Sequence, residues 1–111
     1  MDFSLGIEIH KKIFPKATAH SQIVQLNEEL SELSAAYSEK NRQEELGDVI
    51  TVAVSLLRFE ETKNIGQFIL DKMYFNQDLD ERKKIMKYYA NSLEKCKKRI
   101  SDARYTFVNG L

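Results

Sequence analysis

The stretch NEELSELSAAYSEKNRQEELGDVI, residues 27–50, decides the fold. Ile23, Leu26, Leu30, Leu33 and Tyr37 recur at intervals of three and four, which is one face of an amphipathic helix. Residues 38–40 read as a short turn. Asn41 followed three residues later by Glu44 is a capping-box pattern, so a second helix is expected to begin there. Its core face is Leu46, Val49, Ile50, Ala53, Val54 and Leu57, widened by Val52 and Leu56. A helix apolar on most of its sides belongs in the interior. A connection this short forces the two helices into an antiparallel hairpin.

The hairpin carries two acidic pairs of matched spacing. Glu29 and Glu32 are three apart on its first helix, and Glu45 and Asp48 three apart on its second. Residues so spaced share a side of a helix, with Cβ atoms roughly 5–6 Å apart. Each pair flanks its helix's apolar stripe, so packing the stripes together brings four carboxylates to the edge of the seam. Either pair alone reads as solvated surface, as Glu28 and Glu44 do. Two pairs meeting across a hairpin are a different matter, because crowded carboxylates raise one another's pKa. A divalent cation removes that conflict. Oxygen donors without histidine or thiolate suit Mg²⁺, with Mn²⁺ as a substitute, better than Zn²⁺.

Working outward, Phe3, Leu5, Ile7, Ile9, Ile13 and Phe14 suggest a short helix that ends before Pro15, since the residue before proline avoids the α region. Thr18 or Ser21 can cap the helix that follows. Asn64 with Gln67 is a capping box for a third long segment, with Ile65, Phe68, Ile69, Met73 and Phe75 apolar. Asp78 with Glu81 opens a long basic helix reaching about Ala103, whose apolar positions are Ile85, Tyr88, Tyr89, Leu93, Cys96 and Ile100. The tail from residue 103 is read as irregular or as a strand-like docking segment. The expectation is an all-α, four- to five-helix bundle in one domain over residues 1–111, completed by a second copy of itself.

The chain has 111 residues, with 17 basic and 17 acidic side chains and no net charge, so no overall basic footprint for nucleic acid exists. Free nucleotides stay open as ligands, because they need a local site rather than a global field. The single cysteine, Cys96, cannot form an intrachain disulfide, which fits a reducing compartment. The opening MDFSLGIEIHKKIF lacks the basic start and apolar run of a signal peptide. No segment has the roughly 18 apolar residues of a membrane span. These features place the protein in the cytoplasm. His10 and His20 have no metal-ligand spacing and read as surface or capping residues.

EELSE at residues 28–32 followed by ELGD at residues 45–48 on a helical hairpin resembles the MazG-like, all-α nucleoside triphosphate pyrophosphohydrolases. That family includes dimeric dUTPases and dCTP pyrophosphatases. FPKATAHSQIVQLNEEL and ELGDVITVAVSLLR are similar to the family's lead-in and second helix, and LDKMYFN to its third-helix element, so the likeness runs from residue 13 to 76. It implies Mg²⁺-dependent cleavage of a nucleoside triphosphate, a dNTP or non-standard NTP, to the monophosphate and pyrophosphate. By the same resemblance Glu29, Glu32, Glu45 and Asp48 hold the metal and serve catalysis. Lys72 and Asn76 contact the substrate phosphates, and the assembly is a homodimer or homotetramer. Leu79 stands where many members carry an arginine, and Lys98, Arg99 and Arg104 lack the spacing of the family's C-terminal basic element. These departures keep a second class open, a non-catalytic helical interaction module built on the same fold. For base contacts the sequence offers Phe14, His20, Gln22, Tyr37 and Tyr74.

Overall fold

The computed structural model describes residues 3–109, with side chains through residue 98. Among the described residues there are five α-helices and no strand. They are α1 (Ser4–Ile13), α2 (Ala19–Ser34), α3 (Glu39–Leu56), α4 (Lys63–Leu70) and α5 (Leu79–Asn109). A single π turn, Asp71–Phe75, prolongs α4. The chain is all-α, as its periodicity predicts.

Helix α3 is the axis around which the rest is arranged, and it packs against α1, α2, α4 and α5. Its sequence explains why. Val49, Ile50, Ala53, Val54, Ser55 and Leu56 are at most 2 % exposed, so apolar residues cover most of its circumference. Burying a valine, leucine or isoleucine stabilises by roughly 1.5–3 kcal/mol relative to leaving it in water, and α3 concentrates that gain. Leu26 from α2, Ile69 and Leu70 from α4, and Ile85 and Tyr89 from α5 complete the core. At one end Phe3 sits edge-on to Tyr74, Phe75 and Tyr89, with centroids 5.6, 6.0 and 5.5 Å away.

The helix ends follow local chemistry, with some shifts from the sequence reading. Thr18 caps α2: its Oγ1 accepts from the Ser21 N–H at 3.0 Å while Ser21 Oγ accepts from the Thr18 N–H at 2.9 Å. Both candidate residues therefore act together. Helix α3 starts earlier than expected, because Ser38 Oγ accepts from the Asn41 N–H at 3.0 Å and takes the cap role. Residues 38–40 become the cap and first turn of α3 rather than a linker. Tyr37 leaves the α2 stripe and stands 87 % exposed in the connection. For α4 the N-cap is Thr62, not Asn64, and Gln67 bonds forward to Asp71 Oδ1 at 2.9 Å. Of the apolar residues of this segment, Ile69 is buried, whereas Ile65 and Phe68 are 42 % and 61 % exposed. Asp78 does cap α5, its Oδ1 accepting from the Glu81 N–H at 2.8 Å. The backbone stays helical to Asn109, so most of the tail is neither irregular nor strand-like. The side-chain assignments made for Arg99, Ile100 and Arg104 lie outside the described residues. Among the described residues no helix is long and apolar enough to cross a membrane.

Candidate metal centre

The hairpin of α2 and α3 runs in a register that three residue pairs define. Ser55 Oγ donates to Gln22 Oε1 at 2.8 Å at one end. Seven residues along α2, and seven back along α3, Glu29 meets Asp48; three further, Glu32 meets Glu45. The two acidic pairs have equal spacing in opposite directions, so one antiparallel register satisfies both. One oxygen from each of Glu29, Glu32, Glu45 and Asp48 lies within 4.8 Å of the others. The structure thus brings together all four carboxylates that the sequence singles out.

Their surroundings are arranged for positive charge that the protein itself does not supply. Two unit charges 4.8 Å apart repel by about 1 kcal/mol in bulk water and by about 3.5 kcal/mol at an effective dielectric of about 20. Among the described residues no lysine or arginine pairs with any of the four; the ion pairs present are exposed pairs three apart, such as Arg42 with Glu39. Burial, then the Asp48 and Glu32 charges, push the Glu29 carboxyl up to about 7, against the pull of a hydrogen bond from Gln25. Glu45 is likewise raised, by burial first, then by Glu32 and Asp48, with Asn41 opposing.

Each of these two glutamates has one oxygen held by an amide. Gln25 Nε2 donates to Glu29 Oε1 at 2.8 Å, and Asn41 Nδ2 reaches Glu45 Oε1 at 3.4 Å. The second oxygens, Glu29 Oε2 and Glu45 Oε2, are buried without a donor. A buried acceptor without a partner costs free energy that a cation would remove. The donor set is four hard carboxylate groups and the orphaned oxygens belong to two of them, so the residues fit Mg²⁺ or Mn²⁺.

Helix α5 is held close beside this site by Gly47, which lies between Glu45 and Asp48. A Cβ built there would stand 2.7 Å from the Tyr88 backbone carbon and oxygen. Only a bare Cα lets the two helices approach so closely. The approach frames a cleft of about 280 Å³ between α2 and α5, floored by α3. Gln22, Gln25 and Glu29 form one wall; Ser92, Lys95 and Cys96 the other; Asp48, Thr51, Val52 and Ser55 the floor; His10 and Phe14 from α1 one end. Glu29 and Asp48 belong to cleft and carboxylate cluster alike. The seven residues from Glu29 back to Gln22 correspond to about 10 Å along a helix, at about 1.5 Å per residue.

At the α1 end the polar groups interlock. Arg58 Nη1 lies 3.2 Å from His10 Nδ1 and donates to Phe14 O at 2.7 Å, while Nη2 donates to Pro15 O at 3.2 Å. His10 is buried rather than a surface residue, and burial, reinforced by Arg58, pushes its pKa down to about 4 against a hydrogen bond to Gln22. Of the residues considered for base contact, Phe14 and Gln22 line the cleft. His20 and Tyr37 face solvent, and Tyr74 is packed in the core against Phe3.

Lys72 and Asn76 are not brought to the quartet within one chain. Both are exposed at the π turn, with Lys72 Nζ 5.7 Å from the Phe68 ring centroid, and neither lines the cleft. The π turn packs on α4 and α5. Lys95 is the lysine that does line the cleft. In the sequence it is one of many basic residues on α5 and carries no distinguishing signal. Arg58 was equally hidden, since its partners lie 43 to 48 residues away. No protein-family model, curated protein or solved structure matches this chain.

Proposed function

We propose that this protein is a Mg²⁺-dependent nucleoside triphosphate pyrophosphohydrolase of the MazG-like kind, releasing the monophosphate and pyrophosphate. The observation that carries this reading is the continuity of two features. A cluster of four carboxylates with two orphaned, buried oxygens opens into a cleft large enough for an organic ligand and polar at its far end. The metal, when bound, lowers the pKa of water and offsets charge that develops on the phosphates. Glu29, Glu32, Glu45 and Asp48 hold it. Gln25 and Asn41 fix the rotamers of Glu29 and Glu45 through their amide hydrogen bonds. Lys95 offers a positive charge along the wall that the phosphates pass. The α1 end of the cleft, away from the carboxylates, takes the base.

The assembly in this reading is a homodimer or homotetramer. Ile65, Phe68 and Leu79, 42 %, 61 % and 58 % exposed, supply apolar area for a second copy to cover. Lys72 and Asn76 stand beside that area, outside their own chain's cleft, and serve the neighbouring copy's substrate.

One observation favours the second reading, a non-catalytic helical interaction module built on the same fold: within one chain the cleft has Lys95 but neither Lys72 nor Asn76. Incubation with each common NTP and dNTP plus Mg²⁺, with assay of monophosphate and pyrophosphate, separates the two. Turnover that requires Mg²⁺ and falls by roughly 100-fold or more in Glu45→Gln supports the enzyme. No turnover of any nucleotide by the wild type, with no Mg²⁺ binding either, supports the module.

A further inference from the structure

We propose that the buried hydroxyl of Ser92 recognises the sugar of a nucleoside bound in the middle of the cleft. The inference rests on the nucleotide reading above and goes beyond it, to the part of the ligand that neither the carboxylates nor the α1 end meets.

The register of the cleft helices places Ser92. Along α3 the lining residues Asp48, Thr51, Val52 and Ser55 all follow Gly47. Along α5 Ser92, Lys95 and Cys96 all follow Tyr88, the residue that meets Gly47. The two helices therefore run in the same sense along the cleft. Helix α2 runs against them, with Glu29 at the carboxylate end, then Gln25, then Gln22 beside Ser55. Ser92 is one turn past Tyr88, about 6 Å along the helix, and Thr51 is one turn past Gly47. Gln25, Thr51 and Ser92 thus make a middle layer between the carboxylate end and the end closed by His10 and Phe14. A nucleotide with its phosphates at the carboxylates and its base at the α1 end has its sugar at this layer.

Three side-chain hydroxyls line the cleft, and two of them are engaged by the backbone. Thr51 Oγ1 donates to the Gly47 carbonyl at 2.9 Å, and Ser55 Oγ has the Val52 carbonyl at 2.6 Å. A hydroxyl within a helix commonly turns back in this way to a carbonyl three or four residues earlier. Ser92 does not. Among the described residues its hydroxyl has no hydrogen-bond partner, although the residue is only 5 % exposed. Nor is its oxygen sealed off like Glu29 Oε2 and Glu45 Oε2, so it opens on the cleft that the residue lines. A hydroxyl left unpaired in so enclosed a place costs free energy that a ligand hydroxyl would remove. Each hydroxyl can donate and accept, so the two can pair in either sense. Packing gives no reason for the oxygen, because alanine has nearly the same bulk and is the better helix former.

The test uses nucleosides in EDTA, so that neither metal nor phosphate enters. The full chain is titrated with the common ribonucleosides and with their 2′,3′-dideoxy counterparts, and binding is followed by NMR. For whichever base binds tightest, the ribonucleoside is expected to bind about 5- to 10-fold more tightly than the dideoxy form, the value of one hydrogen bond. Ser92→Ala is expected to bring the two forms level by weakening the ribonucleoside alone. It is also expected to melt no lower than the wild type, since it removes an unpaired buried group. Equal binding of the two forms by the wild type overturns the proposal, as does a ratio that Ser92→Ala leaves unchanged. So does the absence of saturable binding of any nucleoside. A Ser92→Ala variant that melts lower or fails to fold would mean that the hydroxyl serves the fold, and overturns it too. Sugar discrimination without hydrolysis of any triphosphate would sink the enzymatic reading and leave this one standing; hydrolysis without discrimination would do the reverse.

Discussion

Glu29 illustrates how a single side chain can be placed against its own preference. Its carboxyl titrates at about 7 in the folded chain, against an ordinary value of 4.5. Between those values the folded state binds more protons than the unfolded one, so stability falls as pH rises through the window. Glu45 is shifted the same way. In EDTA, Glu29→Gln is therefore expected to melt above the wild type at pH 8, with the gap closing as pH falls toward 4.5; a variant that melts lower at pH 8 would contradict this. His10 has the opposite sign. Its pKa is lowered from 6.5 to about 4, so the unfolded chain takes up the proton first and stability falls as pH drops from 6.5 to 4. Glu39, held below the usual carboxylate range by Arg42, acts in the same direction as His10. Melts of Glu29→Gln between pH 4 and 6.5 should show that trend more steeply than the wild type does, with Glu45 alone still opposing it.

At the scale of elements, caps and close approaches decide where helices begin and how near they lie. Thr18→Ala removes the Oγ1 that accepts the Ser21 N–H, and the loss expected from a urea midpoint is about 1 kcal/mol. Gly47→Ala inserts a methyl against the Tyr88 backbone, which has no flexible end to move aside. A loss of about 1–3 kcal/mol is expected, and a drop in Mg²⁺ affinity measured by calorimetry, because Glu45 and Asp48 flank the displaced position. The same elements show what a sequence can convey. The acidic quartet was legible because identical three-residue spacings on two helices, joined by a short connection, leave one register that unites them. The start of α3 was not, because Ser38 and Asn41 are both good caps and only the fold chooses between them. Which of the apolar residues of α4 face inward was not legible, because Gly66 is the residue that meets the Ala53 carbonyl of α3 and this turns Ile65 and Phe68 outward. Arg58, Lys95 and His10 gain their places from contacts distant in sequence, which no local pattern encodes.

At the scale of the molecule, the arrangement is radial. Helix α3 touches every other helix, whereas the one helix that α2 packs extensively against is α3. The carboxylates that meet across that seam repel one another, and a cation held among them would draw α2 toward α3. Any ligand that binds only the folded form stabilises by mass action, about 2.7 kcal/mol at a hundredfold excess over Kd. Mg²⁺ is therefore expected to raise the melting temperature of the wild type and to leave that of Glu45→Gln unmoved.

The radial plan also ranks the helices by how easily they open. Amide protons of α3 can exchange with deuterium only when the whole domain unfolds, since all its neighbours must leave first. Those of α2 need only one seam to part. Hydrogen exchange should accordingly show α2 as the fastest-exchanging of the long, well-packed helices in EDTA. Mg²⁺ should slow α2 toward the rate of α3 while changing α4 little. The carboxylate seam would then be a clasp: an ion held there would decide whether the first helix of the hairpin belongs to the same cooperative unit as the rest.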